Sequence, residues 1–178
     1  SQMGHGGVAT SLMKASADTN ATAGNGATAM LLASQNGHAG VVQVLLDGGA
    51  RTDTAASNGA TALMAASESG HEPIVRMLVG KGASVDQADS NGATALMAAS
   101  ESGKAACVRA LCEAKANLEH AMSDGWTALI LAADSWPTAV VGSLIAPQAR
   151  RAHANASANA ALSAPREPAH EGQVGAFV

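Results

Sequence analysis

Histidines at regular spacing are one way a chain assembles a metal site, and His5, His38 and His71 recur at intervals of 33 residues. If each sits on a separate structural unit packed like neighbouring helices, they lie roughly 10 Å apart, and no single ion bridges that gap. They are expected instead to bond backbone at a turn between helices. His120 and His153, also 33 apart, are expected on solvated loop tips. Cys107 and Cys112 fall five apart in one predicted helix, which turns them away from each other and matches no zinc or redox spacing; both are expected to be packing residues. Gly80-Lys81, Gly103-Lys104 and the Gly24–Gly26 turn lack the spacing and strand context of a phosphate loop. Serines, histidines and acids are plentiful, but each occupies a repeat position explained by turn or capping chemistry, and nothing converges on a catalytic centre. No metal site, no cofactor and no enzymatic activity are expected.

What positions these residues is a repeat. The segment Ser57–Gly70, SNGATALMAASESG, recurs unchanged at Ser90–Gly103. Asn25-Gly26, Asn58-Gly59, Asn91-Gly92 and Asp124-Gly125 open four units in constant register, and Thr28, Thr61, Thr94 and Thr127 follow. Within the unit 58–90, Asn-Gly signals a turn because both residues tolerate positive φ, and Thr61 supplies a hydroxyl to cap a helix. Ala62–Ser69 is that short first helix, ended by Gly70 in the left-handed region. Glu72-Pro73 opens a second helix, since proline fits a first turn and glutamate complements its dipole. Ile74, Val75, Leu78 and Val79 form its apolar stripe, and Gly80 and Gly82 close it. Ala83–Ser90 is extended and returns through a hairpin-like turn. Two short helices cannot bury that stripe alone, so a neighbour must cover it.

The divisions read as a partial repeat at 1–24 (second half only), repeats at 25–57, 58–90 and 91–123, and a divergent repeat at 124–156. Residues 157–178 are a degenerate partial repeat or a disordered tail; Pro165 and Pro168 interrupt the expected first helix there and favour partial disorder. Because Ser1 is not an initiator methionine and the chain starts mid-repeat, a fragment or processed product is expected.

The 33-residue period, the Asx-Gly turn, the run Gly-x-Thr-Ala-Leu-Met-x-Ala, the Gly-His pair and the later Val-x-x-Leu run with Gly-Ala resemble ankyrin repeats. The resemblance covers roughly residues 1–156. It implies an all-α ankyrin-repeat solenoid of stacked helix-turn-helix units with connecting hairpin-like loops. Where that family reads Thr-Pro-Leu-His, this chain has Thr28-Ala29-Met30-Leu31, Thr61-Ala62-Leu63-Met64, Thr94-Ala95-Leu96-Met97 and Thr127-Ala128-Leu129-Ile130. The family's imidazole network is therefore expected to give way to apolar packing, with less rigidity between units. Gly-His becomes Gly103-Lys104 and then Trp136-Pro137, so packing should loosen toward the C-terminus.

The resemblance also implies where partners would touch: the loop tips and the outward, concave face of the first helices. By position these are Ala27, Ala60, Ala93 and Trp126, then Gln35-Asn36, Glu68-Ser69, Glu101-Ser102 and Asp134-Ser135. Glu68, Glu101 and Asp134 form an acidic column that would speed encounter with a basic or amide-rich peptide; the plain alternative is a solvated helix end kept for solubility. Trp126 breaks a column of alanines as a binding anchor would, or packs across its turn.

Composition bounds the rest. Hydrophobic residues make up 47% but aromatics only 2%, so stability must come from many small contacts between units; with three well-formed units and exposed ends, low thermal stability is expected unless flanking repeats cap the array. A net charge of −4 without a Lys/Arg cluster argues against nucleic acid as partner. No apolar run is long enough to span a membrane, and the N-terminus lacks a signal pattern. Asn20-Ala21-Thr22 and Asn155-Ala156-Ser157 match a glycosylation triplet, as chance produces in such a chain. The expected protein is a monomeric, non-catalytic scaffold, cytoplasmic by default, that binds a protein or peptide partner. The alternatives are a targeting or regulatory segment of a larger enzyme, such as a kinase or ubiquitin ligase, and a decaying array with no specific partner.

Overall fold

A computed structural model describes residues 17–135 and 141–145, together with residues 7, 10, 11 and 15. Three first helices alternate with three second helices, and a fourth first helix follows: α1 (Ala29–Gln35), α2 (Ala39–Asp47), α3 (Ala62–Ser69), α4 (Glu72–Gly80), α5 (Ala95–Glu101), α6 (Ala105–Glu113) and α7 (Ala128–Ser135). First helices stack on first helices, second on second, and each of α1, α3 and α5 packs on the second helix that follows it. The hairpins joining the units hold only isolated bridges, Thr22 with Thr28 and Ala121 with Thr127, so the described residues form an all-α solenoid. His5, His153, Trp136-Pro137, the triplet at Asn155 and the whole of 157–178 lie outside the described residues.

The local chemistry repeats unit by unit. Thr28, Thr61, Thr94 and Thr127 each accept through Oγ1 from the backbone N–H three residues on, at 3.1, 3.3, 3.4 and 3.4 Å. These caps satisfy an amide that the first helical turn would leave unpaired. Helix α3 spans the expected Ala62–Ser69, and Gly70 ends it at φ +84°. At the end of α4 the expectation shifts by a residue: Gly80 is helical, Lys81 is the cap, and Gly82 takes the positive φ of +87°.

The core is a seam rather than a centre. Leu63, Ile74, Val75, Leu78, Leu96, Val108 and Leu111 are all at most 1% exposed and belong to one cluster running through the units. Ala66 and Ala99, both fully buried on first helices, belong to the same cluster, where a larger side chain would overpack it. Leu31, Met64 and Met97, at the family's histidine position, are buried, whereas Ile130 is 47% exposed. Apolar packing replaces the imidazoles in three units and fails in the fourth.

Ser34, Ser67 and Ser100 occupy one repeat position and are completely buried. The Ser100 hydroxyl donates to the Leu96 carbonyl at 2.7 Å, but those of Ser34 and Ser67 have no partner. A buried unsatisfied hydroxyl costs more than the bond it could make gains. Ser67→Ala is therefore expected to stabilise the fold by about 1 kcal/mol and Ser100→Ala to destabilise it by about 1 kcal/mol. Urea midpoints moving in the same direction for both variants would contradict this.

Main-chain N–H groups tie successive hairpin tips together along one edge and successive units along the other. At the hairpin tips, Ser57 N–H donates to the Asn25 carbonyl and Ser90 N–H to the Asn58 carbonyl, both at 3.0 Å. The corresponding bond from Ser123 to Asn91 is not made. On the far edge, the N–H groups of Arg51, Ser84 and Asn117 donate to Asn20, Asp53 and Asp86 side chains at 2.8 to 2.9 Å. His71 also crosses between units. Its Nε2 lies 3.1 Å from the Gln35 carbonyl oxygen in the preceding unit, and since a carbonyl only accepts, the ring proton sits on Nε2. The imidazole thus bonds backbone as expected, but of the neighbouring unit rather than its own turn. Lys104 lies against Gly70 as His71 lies against Gly37, without a carbonyl bond.

Two expectations are corrected. Asparagine does not supply positive φ at the tips: Gly26, Gly59, Gly92 and Gly125 alone adopt it there, at +78° to +87°. Asn25 and Asn58 instead accept from the N–H two residues on, at 3.1 Å each, which closes an Asx turn. His120 is not solvated. It is half-buried, and its Nε2 lies 3.0 Å from the Gly92 carbonyl, tying the fourth tip to the third.

Candidate partner-binding groove

Each first helix follows directly on its hairpin, and residues of helix and hairpin together line one recess. Stacking three units extends it into a groove of about 310 Å³, open to solvent. Its lining is apolar at the base, with Leu31, Met64 and Ala65, and polar at the rim, with Asn25, Asn58 and Glu68. Asp89 also lines it, but its Oδ1 accepts from the N–H groups of Asn91 and Ala93 at 2.9 and 2.8 Å. Its carboxylate therefore holds a hairpin shut. Glu68 is exposed and has no such engagement, so it is the rim charge available to a ligand.

Of the residues expected at the binding face, Gln35 and Glu68 line this groove. Ala27, Ala60 and Ala93 also line it, with Ala27 only 5% exposed. Asn36 is exposed beside it, its side-chain amide donating to the Leu32 carbonyl at 2.7 Å. Ser69 and Ser102 are half-buried, while Glu101 and Asp134 are exposed on the ends of α5 and α7. Ser135 ends α7. Trp126 is 36% exposed, enough to leave much of an indole face in solvent. Neither Glu101, Asp134 nor Trp126 belongs to the groove's lining; they continue the same face past its end.

Sequence reasoning missed Leu32. It stands 47% exposed in the groove wall, at the position held by Ala65 and Ala98 in the next two units and by Leu131 in the fourth. The signal was available: Leu32 stands where the next two units carry alanine.

The remaining chemical candidates are structural. Cys107 is fully buried, and loss of solvation, with the nearby Glu72 charge, pushes its thiol up to about 11. It is protonated at neutral pH and no nucleophile. Cys112 is half-buried against the 141–145 segment, its thiol 3.9 Å from the Ser143 carbonyl. Arg76 pairs with Glu72 in its own helix and with Glu113 in the next unit; hydrogen bonds to Glu72 and then Glu113 raise its pKa. Among the described residues, no group of three or more His, Cys, Asp or Glu gathers as metal ligands would, and no helix is long and apolar enough to cross a membrane.

A search of curated proteins finds no match. A family model described as ankyrin repeats, three copies, matches residues 1–89 and 81–156, which together span most of the chain. Ankyrin repeats are generally protein–protein interaction modules, and proteins built from them are typically non-catalytic. The stacked helix pairs, the capped first helices, the hairpin tips and this match agree: the chain belongs to the ankyrin-repeat family.

Proposed function

We propose that this chain is a non-catalytic, monomeric scaffold that binds an extended, basic or amide-rich peptide segment of a partner protein along the face made by hairpin tips and first helices. The observation that carries the reading is the groove itself, built by three successive units with an apolar base and an unengaged carboxylate, Glu68, on its rim. A segment lying there would place apolar side chains against Leu32 and Met64 and present its cations to Glu68, then to Glu101 and Asp134 beyond. The walls are held by capped helices and bonded turns, so little conformational entropy is lost on binding. The same face would serve equally if the chain is the recognition part of a larger enzyme.

Selection of a random peptide library displayed on phage tests this. Lys-, Arg- or Asn/Gln-rich sequences are expected to be enriched, and their affinity should fall roughly tenfold for the Glu68→Lys/Glu101→Lys/Asp134→Lys variant, with weaker binding at high salt. Enriched peptides indifferent to the reversal and to salt would remove the proposed face.

A further inference from the structure

Asn-Gly occurs four times, at Asn25, Asn36, Asn58 and Asn91, and it is the least durable dipeptide in a polypeptide. With no side chain on the glycine, its backbone nitrogen has unhindered access to the asparagine's Cγ. Three of the four are restrained. The Asn25 and Asn58 carbonyls accept from Ser57 and Ser90 of the next tip, and their side chains accept from Ala27 and Ala60. The space over Gly26 and Gly59 is filled by backbone of the next hairpin tip, 2.8 Å from where a Cβ would stand. Asn36 donates its amide to Leu32, and the His71 ring covers Gly37.

Asn91 differs on each count. The turn-closing role belongs to Asp89, which takes the N–H groups of both Asn91 and Ala93, so the Asn91 side chain is exposed and makes no hydrogen bond. Its carbonyl receives nothing from Ser123, and the nearest backbone over Gly92 stands off to 3.3 Å. The segment Ser90–Gly103 is identical to Ser57–Gly70, so Asn58 is a control inside the same molecule: any difference between the two sites comes from the fold and not from neighbouring sequence.

We infer that Asn91 is a site of spontaneous deamidation. The Gly92 nitrogen gives up its proton and attacks Cγ of Asn91. The Cγ–Nδ2 bond breaks, ammonia leaves with that proton, and a five-membered succinimide closes. Water then adds to one of its two carbonyls and opens the ring, giving aspartate or isoaspartate, with no change of oxidation state. Ring closure releases the turn bond of the glycine N–H at all three tips, to Ala23, Ala56 and Asp89, but it rotates the Asn-Gly peptide, which at Asn25 and Asn58 would also tear the tip-to-tip bond and at Asn91 tears no such bond. Aspartate suits the turn, since Asp124 holds the same position in the fourth unit and accepts from Trp126 N–H at 3.3 Å. Isoaspartate adds a methylene to the main chain and does not suit a turn closed by Gly92 N–H to Asp89 at 3.1 Å. Both products add a negative charge to the tip.

The test is incubation of the folded chain at mildly alkaline pH, followed by tryptic digestion in acid and mass spectrometry. Asn58 and Asn91 fall in different tryptic peptides, 52–76 and 82–104. Asn91 is expected to convert about thirty times faster than Asn58, the factor for releasing two ordinary hydrogen bonds, and the two rates should become equal in concentrated urea. Equal rates in the folded chain, or an advantage for Asn91 that persists in urea, would overturn the inference.

Discussion

Gly59→Ala is expected to lower the unfolding free energy by roughly 3 kcal/mol, the sum of left-handed strain on a residue with a Cβ and displacement of packed backbone. Gly59 sits at φ +83°, and an added methyl would stand 2.8 Å from Asp89 Cα and Ser90 N and 3.0 Å from the Asp89 carbonyl carbon. These are backbone atoms of the next hairpin tip, pinned there by the Ser90 to Asn58 bond, so the clash cannot be relieved by rotating a side chain. Gly125→Ala isolates the strain from the clash. Its φ of +87° is nearly the same, but nothing lies within 4 Å, and its cost should stay near 1–2 kcal/mol. Urea unfolding followed by circular dichroism measures both. Equal losses would mean that tip stacking contributes nothing.

The second large effect is Leu78→Ala. Leu78 is fully buried on the α4 stripe, and truncation there removes transferred surface and leaves a cavity, together worth about 2–5 kcal/mol. Against a total stability of about 5–15 kcal/mol for a domain, such a loss threatens the fold outright. In a stack of units it should first separate the array into two transitions, because the second unit couples the first to the third. Leu32→Ala, at a leucine 47% exposed, should change stability by less than about 0.5 kcal/mol. A single transition with a midpoint close to wild type for Leu78→Ala would show that the apolar seam is not what couples the units.

Much of this was legible in the sequence because each unit's signals are local. The Thr61 cap, the Gly70 stop and the Pro73 start all act within a few residues, and α3 lies where they put it. The stripe of Ile74, Val75 and Leu78 had to face a neighbour, and it does. What escaped was whatever arises between units. The His71 bond joins residues 36 apart and the His120 bond residues 28 apart, and no periodicity says which carbonyl a ring will meet. The turn chemistry escaped for a different reason. Asparagine tolerates positive φ and also accepts through its side chain, and the structure uses only the second property. The groove, finally, is a property of three units together, so Leu32 gains meaning only once Gln35, Met64 and Glu68 stand around it.

The tip bonds carry one more consequence. Ser57 meets Asn25 as Ser90 meets Asn58, with the same atoms at the same distance, and the fourteen residues from each of these serines are the same. The top of one unit is therefore already the correct lid for the bottom of another. An in-frame duplication of 33 codons would insert a copy whose two faces both find their counterparts without further change. Array length is in this sense decoupled from fold, and the lineage can lengthen or shorten its recognition surface by recombination alone, one unit at a time.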